Sequence, residues 1–272
     1  MPTHHDNRFV RPPGVDDRIP SAARIYDYLL GGVHNFEVDR EFGRRVLAAY
    51  PGLDWSAKAN RSFVIRAAHA LAKEGYDQWI DVGCGLPVLG ATHEVVREHV
   101  PEARVVYVDN EPVAVAHGEA LVADLPHTIM LNGDVRHPET CIDRLEIAEL
   151  LDFTRPVVVV FAAVLHFIRD HDNPGAIMAG IRDRLPRGSR MIFSHGIPGT
   201  KELQQSEAVE ALYEASTNPA VLRTREQVEA LLIGWDVEPP GLAWVPFYKP
   251  DEPVLPGDGP RSHMLGAVCS VP

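Results

Sequence analysis

The chain has 272 residues, 45% apolar and 24% charged, ordinary globular values that exclude wholesale disorder and a fibrous repeat. Asp and Glu outnumber Lys and Arg by 38 to 26, and the formal charge of -12 repels phosphate backbones on average, which argues against a nucleic-acid partner. The longest uncharged apolar run, Val157 to Leu165, falls far short of the roughly 18 residues a bilayer span needs, so no membrane association is expected.

Residues 1–20 are rich in Pro, Gly and charge without any period, and read as a flexible tail with no apolar region of the secretory type. From Ser21 the pattern becomes helical: Ile25, Tyr28 and Leu29 share one stripe, and Gly31-Gly32 ends the run. Further helices are expected at 37–49 and 56–74, the latter carrying Phe63, Ala67, Ala70 and Leu71 on one stripe and stopping at Gly75. Residues 21–75 therefore read as an N-terminal helical cap.

From residue 76 short apolar runs alternate with helical segments, the texture of βαβ units. Strands are expected at 78–82, 104–108, 128–132, 156–161 and 189–194, with helices near 91–99, 112–123, 139–151 and 174–185 between them. Helices near 200–215 and 224–233 follow. Two β-rich runs, 242–248 and 263–271, read as a terminal antiparallel pair around a Pro/Gly-rich loop. The expected fold is α/β: a Rossmann-like, doubly wound, mainly parallel seven-stranded sheet spanning 76–272. The three cysteines, Cys84, Cys141 and Cys269, form neither a disulfide framework nor a zinc spacing, which fits a reducing cytoplasm.

The chemistry begins where the first strand ends, at Asp81-Val82-Gly83-Cys84-Gly85. In a doubly wound sheet, ligands sit beyond the carboxyl ends of the strands, and a glycine turn lets the backbone approach them closely. A dinucleotide fingerprint would place a third glycine at position 88, which is Val88, so a nicotinamide cofactor loses weight. The second strand ends Asp109-Asn110, 24 residues after Gly85. A carboxylate there can accept both hydroxyls of a ribose, or serve as a helix cap. The third strand ends Gly133-Asp134-Val135, where Asp134 can accept from an adenine amine or hold a turn.

These motifs resemble those of class I S-adenosylmethionine-dependent methyltransferases. More closely, the chain is similar to a bacterial methyltransferase family long known as a domain of unknown function, through ARIYDYLLGGVHNF (23–36), NRSF (60–63), DVGCGLP (81–87), THEV (92–95), ARVVYVDNEPVAVAHG (103–118) and GDVRHPE (133–139). The resemblance covers about residues 20–272. It implies S-adenosylmethionine as cofactor, with Gly83 and Gly85 near its methionine, Asp109 at the ribose and Asp134 at the adenine, and no defined acceptor. Pro87 departs from the third glycine of the broader superfamily motif. The expected cofactor shell comprises Asp81, Gly83, Cys84, Gly85, Asp109, Asn110, Asp134, Val135, Phe161 and Ala162.

Methyl transfer from a sulfonium needs mainly proximity, orientation and exclusion of water, so no residue is singled out as catalytic. His166 and His195, after the fourth and fifth strands, are candidates for the substrate pocket. Tyr26, Asn35 and Phe36 are candidates for a lid closing over the cofactor on a Gly31-Gly32 hinge. Asn/Asp-Pro-Pro-Tyr/Phe is absent after strand four, and no cysteine follows a proline, which disfavours amide or adenine N-methylation and covalent cytosine methylation. His93 and His99, six residues apart, diverge around a helix by about 240°, so no metal site is expected there. The expected activity is methyl transfer to a small or medium organic acceptor; the alternative is a non-enzymatic S-adenosylmethionine- or nucleoside-binding regulatory module.

Overall fold

The computed structural model describes residues 16–86, 90–198, 211–214 and 219–272. Most of the expected N-terminal tail, Pro87, and nearly all of the expected helix near 200–215 lie outside the described residues.

Helix α1 (Ala22–Leu30) starts at Ser21, whose hydroxyl accepts from the Arg24 amide, and ends at Gly31, whose φ of 85° places it in the left-handed region that glycine enters without strain. Helix α2 (Glu37–Ala49) starts under Asp39, whose carboxylate accepts from the Phe36 amide. Ile25 and Leu29 of α1 meet Phe42 and Val46 of α2 in a compact apolar cluster with Ala57 and Tyr213. Helix α3 (Leu53–Lys73) begins three residues earlier than its period predicts. Its stripe of Phe63, Val64, Ala67 and Leu71 packs on the sheet beside Trp79 and Val160.

The strands are β1 (Gln78–Val82), β2 (Arg104–Asp109), β3 (Thr128–Asn132), β4 (Val158–Ala162), β5 (Arg190–Gly196), β6 (Asp236–Val237), β7 (Ala243–Trp244) and β8 (Met264–Ser270). They form one sheet in the order β3-β2-β1-β4-β5-β8-β6, with β7 also pairing β8. β1 to β5 are parallel, and β8 runs antiparallel to β5, β6 and β7. The fold is thus Rossmann-like and doubly wound, with one strand more than expected. β6 has only two residues, both exposed, and so lacks the apolar run that marks a strand. The expected strand at 242–248 shrinks to β7 because Pro246 cannot donate to a ladder, and residues Val245–Phe247 turn into a 3-10 helix.

Helices α4 (Thr92–Arg97) and α5 (Pro112–Val122) join α3 on one face of the sheet; α6 (Pro138–Ile142), α7 (Leu145–Leu150), α8 (Pro174–Arg182) and α9 (Arg225–Leu231) cover the other. A short α10 (Asp258–Ser262) precedes β8. The single helix expected at 139–151 is broken at Asp143-Arg144, where Arg144 is extended at the start of α7. The chain runs outward through β1, β2 and β3 and then returns to place β4 beside β1. That reversal opens a crevice at the carboxyl ends of β1 and β4.

Candidate active site

A cavity of about 510 Å³ occupies this crevice, within the 300–1,000 Å³ typical of small-molecule sites. Its floor is the turn after β1. Gly83 and Gly85 have φ of 65° and 62°, values that L side chains rarely adopt, and a Cβ on Gly83 would strike the Val164 side chain. Cys84 between them lines the cavity, and burial raises its thiol pKa well above the ordinary value, so it stays a neutral wall residue.

Two buried carboxylates face this turn. Asp81 accepts from the Thr92 hydroxyl at 2.6 Å, and burial pushes its pKa up to about 6. Asp109 accepts from the Gly85 amide and from the Glu111 amide, each at 2.8 Å. Burial likewise raises its pKa to about 6, against the pull of these amides. Asp109 therefore does two things at once: it ties the glycine turn to the start of α5, and it lines the cavity with a buried carboxylate.

Of the remaining residues singled out in the sequence, Asn110, Val135, Ala162, Tyr26 and His166 also line the cavity. Asp134 does not; Arg136 grips its carboxylate, and although burial works to raise its pKa, this contact outweighs burial and holds it below the usual range. Phe161 and His195 point away, into the opposite face of the sheet. Phe161 belongs to the core under α8, and His195 donates from Nδ1 to the Gly196 carbonyl while Nε2 faces Arg223 at 3.1 Å. Arg223 in turn braces the 165–170 loop through Leu165, Ile168 and Asp170.

Asn35 and Phe36 also lie outside the cavity lining. Asn35 is buried and donates to Asp27 and to the Gly32 carbonyl. Phe36 packs against Leu86, Val113 and Ala114, and its face carries the Arg24 guanidinium at 4.9 Å. A Cβ on Gly32 would collide with the Asp27 carboxylate, so this glycine is required by a close approach in the closed loop.

Sequence reasoning missed Asn60 and Arg61, which line the cavity from α3. Asn60 accepts from the Ser194 hydroxyl at 2.7 Å and donates to Tyr26 Oη at 3.1 Å; Tyr26 donates onward to the Ala57 carbonyl. Ser194 Oγ also accepts from the Ala163 amide, which follows β4 with a φ of 58°. This chain of bonds connects α1, α3, β5 and the strained turn after β4. Asn60 sits four residues before Val64 and seven before Ala67, so a polar residue on an apolar stripe was the available signal. The positive charge of Arg61 favours the ionised form of Asp81. Among the described residues, one cluster has metal-ligand chemistry: His69, Glu98 and His99, on the surface, none of them lining the cavity.

A model of the S-adenosyl methyltransferase family matches residues 10–271. The chain belongs to this family. It is also similar to a Thermobifida fusca YX protein provisionally named a methyltransferase, at 33% identity over 96% of this chain and 98% of that one, with a TM-score of 0.88. A DUF574 family protein from Streptomyces avermitilis MA-4680 shares 34% identity over 94% of this chain and 99% of that one, again with a TM-score of 0.88. No curated protein matches the chain. The protein is an S-adenosylmethionine-dependent methyltransferase, and its acceptor is not identified by these relationships.

Proposed function

We propose that the crevice at β1 and β4 holds S-adenosylmethionine and presents its methyl group to a small organic acceptor, and that Asp109 takes the ribose. The observation that carries this reading is the Asp109 carboxylate: it is buried, it lines the cavity, and it stands directly on the glycine turn, whose Gly85 amide it accepts from. The residues present fit the cofactor chemically. Asp81 and Asp109 supply anionic acceptors for hydroxyl and ammonium groups, Arg61 supplies a cation for the methionine carboxylate, and Gly133 and Val135 offer an apolar edge for the adenine. Asp134, held by Arg136, would flank that edge.

The cofactor supplies a methyl group already activated on a sulfonium sulfur. The chain's own residues then bind, orient and exclude water. The turn of Gly83 and Gly85 holds the backbone close to the ligand, the Tyr26-Asn60-Ser194 chain fixes the wall between α1 and β4, and residues 21–75 form a cap over the domain of 76–272, with α3 as their common wall. In this reading Asn35 and Phe36 hold the lid loop in shape, and Tyr26 is the lid residue that meets the ligand.

The net charge and the size of the crevice favour a small molecule over nucleic acid, and the three free cysteines favour the cytoplasm. Calorimetry with S-adenosylhomocysteine and with NAD tests the cofactor assignment: the first is expected to bind and the second not, and tighter binding of NAD would overturn it. Transfer of a labelled methyl group to small molecules of a cell extract, with none to nucleic acid, tests the acceptor class.

A further inference from the structure

The crevice does not end at the glycine turn. A second cavity, of about 100 Å³, shares Leu53, Ser56, His166, Phe167, Tyr213 and Met264 with the first, so the two form one recess with an inner chamber. Tyr50, His166, Phe167, Tyr213 and His263 place aromatic rings on the chamber walls. Tyr50 meets His263 edge to face at 4.9 Å between ring centres, and Phe167 lies 5.9 Å from Tyr213. Among the described residues, no Asp, Glu, Lys or Arg lines this chamber.

Its polar groups are few and mostly committed. The Ser56 hydroxyl donates to the Gly52 carbonyl, and the Ser262 hydroxyl donates to the Gly259 carbonyl. His166 stands at the junction of the two cavities. Its Nδ1 faces the Gly196 amide at 3.5 Å, the outer limit of a hydrogen bond, and only an unprotonated Nδ1 can accept there, which leaves the ring proton on Nε2. Burial, aided by the nearby charge of Arg223, lowers the His166 pKa to about 4, so the ring is neutral at physiological pH.

We propose that the inner chamber seats the methyl acceptor, and that this acceptor is an uncharged aromatic molecule of about one ring that turns a hydroxyl oxygen toward the His166 N–H. This inference rests on the reading that the outer cavity holds S-adenosylmethionine. Shape supports it, because the chamber of about 100 Å³ opens through its shared walls into the outer cavity of about 510 Å³, so a ring seated there keeps one edge toward the cofactor crevice. Charge supports it as well. A carboxylate or phosphate in this chamber would give up hydration and find no cation among the described lining residues, a severe cost, whereas a hydroxyl needs one partner, and the neutral His166 ring at the junction is one. In the transfer, an oxygen lone pair forms the new C–O bond, the C–S bond breaks with its electron pair left on sulfur, and the hydroxyl proton leaves to water.

The test uses the full chain saturated with S-adenosylhomocysteine at neutral pH, titrated by calorimetry with 4-methylphenol and with its charged counterpart 4-methylbenzoate. The phenol should bind with a Kd at or below about a millimolar and at least about tenfold tighter than the benzoate. Ala220 lines the inner chamber and not the outer cavity. Ala220→Phe should therefore weaken phenol binding by about tenfold or more while S-adenosylhomocysteine affinity stays within about twofold; Ala220→Leu serves in the same direction if the larger ring prevents folding. Benzoate binding as tight as phenol, no phenol binding up to millimolar concentration, or indifference to both substitutions would overturn the proposal. Failure of S-adenosylhomocysteine to bind the unmodified chain would instead overturn the reading on which it rests.

Discussion

The helical cap and the sheet rim each bury two aspartates, yet the two regions treat them differently. In the cap, Asp39 accepts from Arg24 Nε at 2.6 Å, from the Ser21 amide at 3.0 Å and from the Phe36 amide at 2.8 Å, every partner supplied by residues 21–36. Asp27 accepts from the His34 amide and from Asn35, and its other oxygen lies under Gly32 without a hydrogen-bond partner among the described residues. At the rim, Asp81 and Asp109 accept from a hydroxyl and from backbone amides, face a cavity, and have pKa values pushed up to about 6 by burial. A buried carboxylate satisfied by a guanidinium holds a fold together. A buried carboxylate with a raised pKa at a cavity wall stores free energy that a donor-rich ligand can release.

The sharpest way to break this comparison is to remove the cap's carboxylate. Asp39→Ala leaves Arg24, which is 1% exposed, as a buried charge without its ion-pair partner, and should cost about 3–5 kcal/mol of stability by chemical denaturation. Whatever fraction stays folded should bind S-adenosylhomocysteine nearly as before. A large loss of affinity in the folded fraction would mean that the cap's carboxylate belongs to the site.

Asp109→Ala should give the complementary result. Charge-assisted hydrogen bonds are worth about 1.5–3 kcal/mol each, so S-adenosylhomocysteine binding should weaken by at least about tenfold. Stability should also fall, because the Gly85 and Glu111 amides lose their acceptor. Asp109→Asn separates the two effects: its one carbonyl oxygen keeps one of these amides, so it should recover part of the stability and little of the binding. Full recovery of binding would reduce Asp109 to a cap of α5.

Titration sharpens the comparison further. The pKa values of Asp81 and Asp109 near 6 lie above their unfolded values near 4, so between about pH 4 and 6 the native state holds protons that the unfolded state has released. These two groups therefore make the unliganded protein less stable as pH rises through that window, by up to about 1.4 kcal/mol per unit for each group. Ligand hydroxyls prefer the ionised carboxylate, so S-adenosylhomocysteine affinity should rise through the same window, by up to about tenfold per unit for each group. Melting curves and calorimetry from about pH 4 to 6 should show the two trends running in opposite directions. Parallel trends would mean that the rim carboxylates do not contact the ligand.

Much of this contrast is legible in the sequence, because strand ends are. The apolar runs of β1 to β5 mark where the rim lies, and Asp81 and Asp109 stand at those ends. Face, however, depends on register. Asp81 pairs with Val160, and Val160 with Ile192, so the cavity face carries Asp81, Val160, Ala162 and Ser194, while Phe161 and His195, one residue out of phase, point to the other side. Strand alternation is visible in sequence; the phase between neighbouring strands is not, and that alone separates Ser194 from His195. The cap was harder to read. Asn35 and Phe36 look like lid residues by composition, but their partners Asp27 and Arg24 lie in the preceding helix, and only the fold of the Gly31-Gly32 loop brings them together.

The contact between cap and sheet gives the smallest expected effect and the finest probe. Tyr26 Oη, donating to Ala57 and accepting from Asn60, is the link by which α1 joins the chain of bonds that ends at the Ala163 amide. Tyr26→Phe removes one hydroxyl and keeps the ring that lines the cavity. The change should cost about 0.5–1.5 kcal/mol, chiefly because the buried Asn60 amide and Ala57 carbonyl lose a partner. If α1 closes over the ligand as proposed, hydrogen exchange over residues 22–30 should slow when S-adenosylhomocysteine binds, and the substitution should diminish that slowing while leaving the protection of Gly83 to Gly85 in place. Equal protection of α1 in the free and bound protein, alongside clear protection at the glycine turn, would make α1 a fixed wall of the site and not its lid.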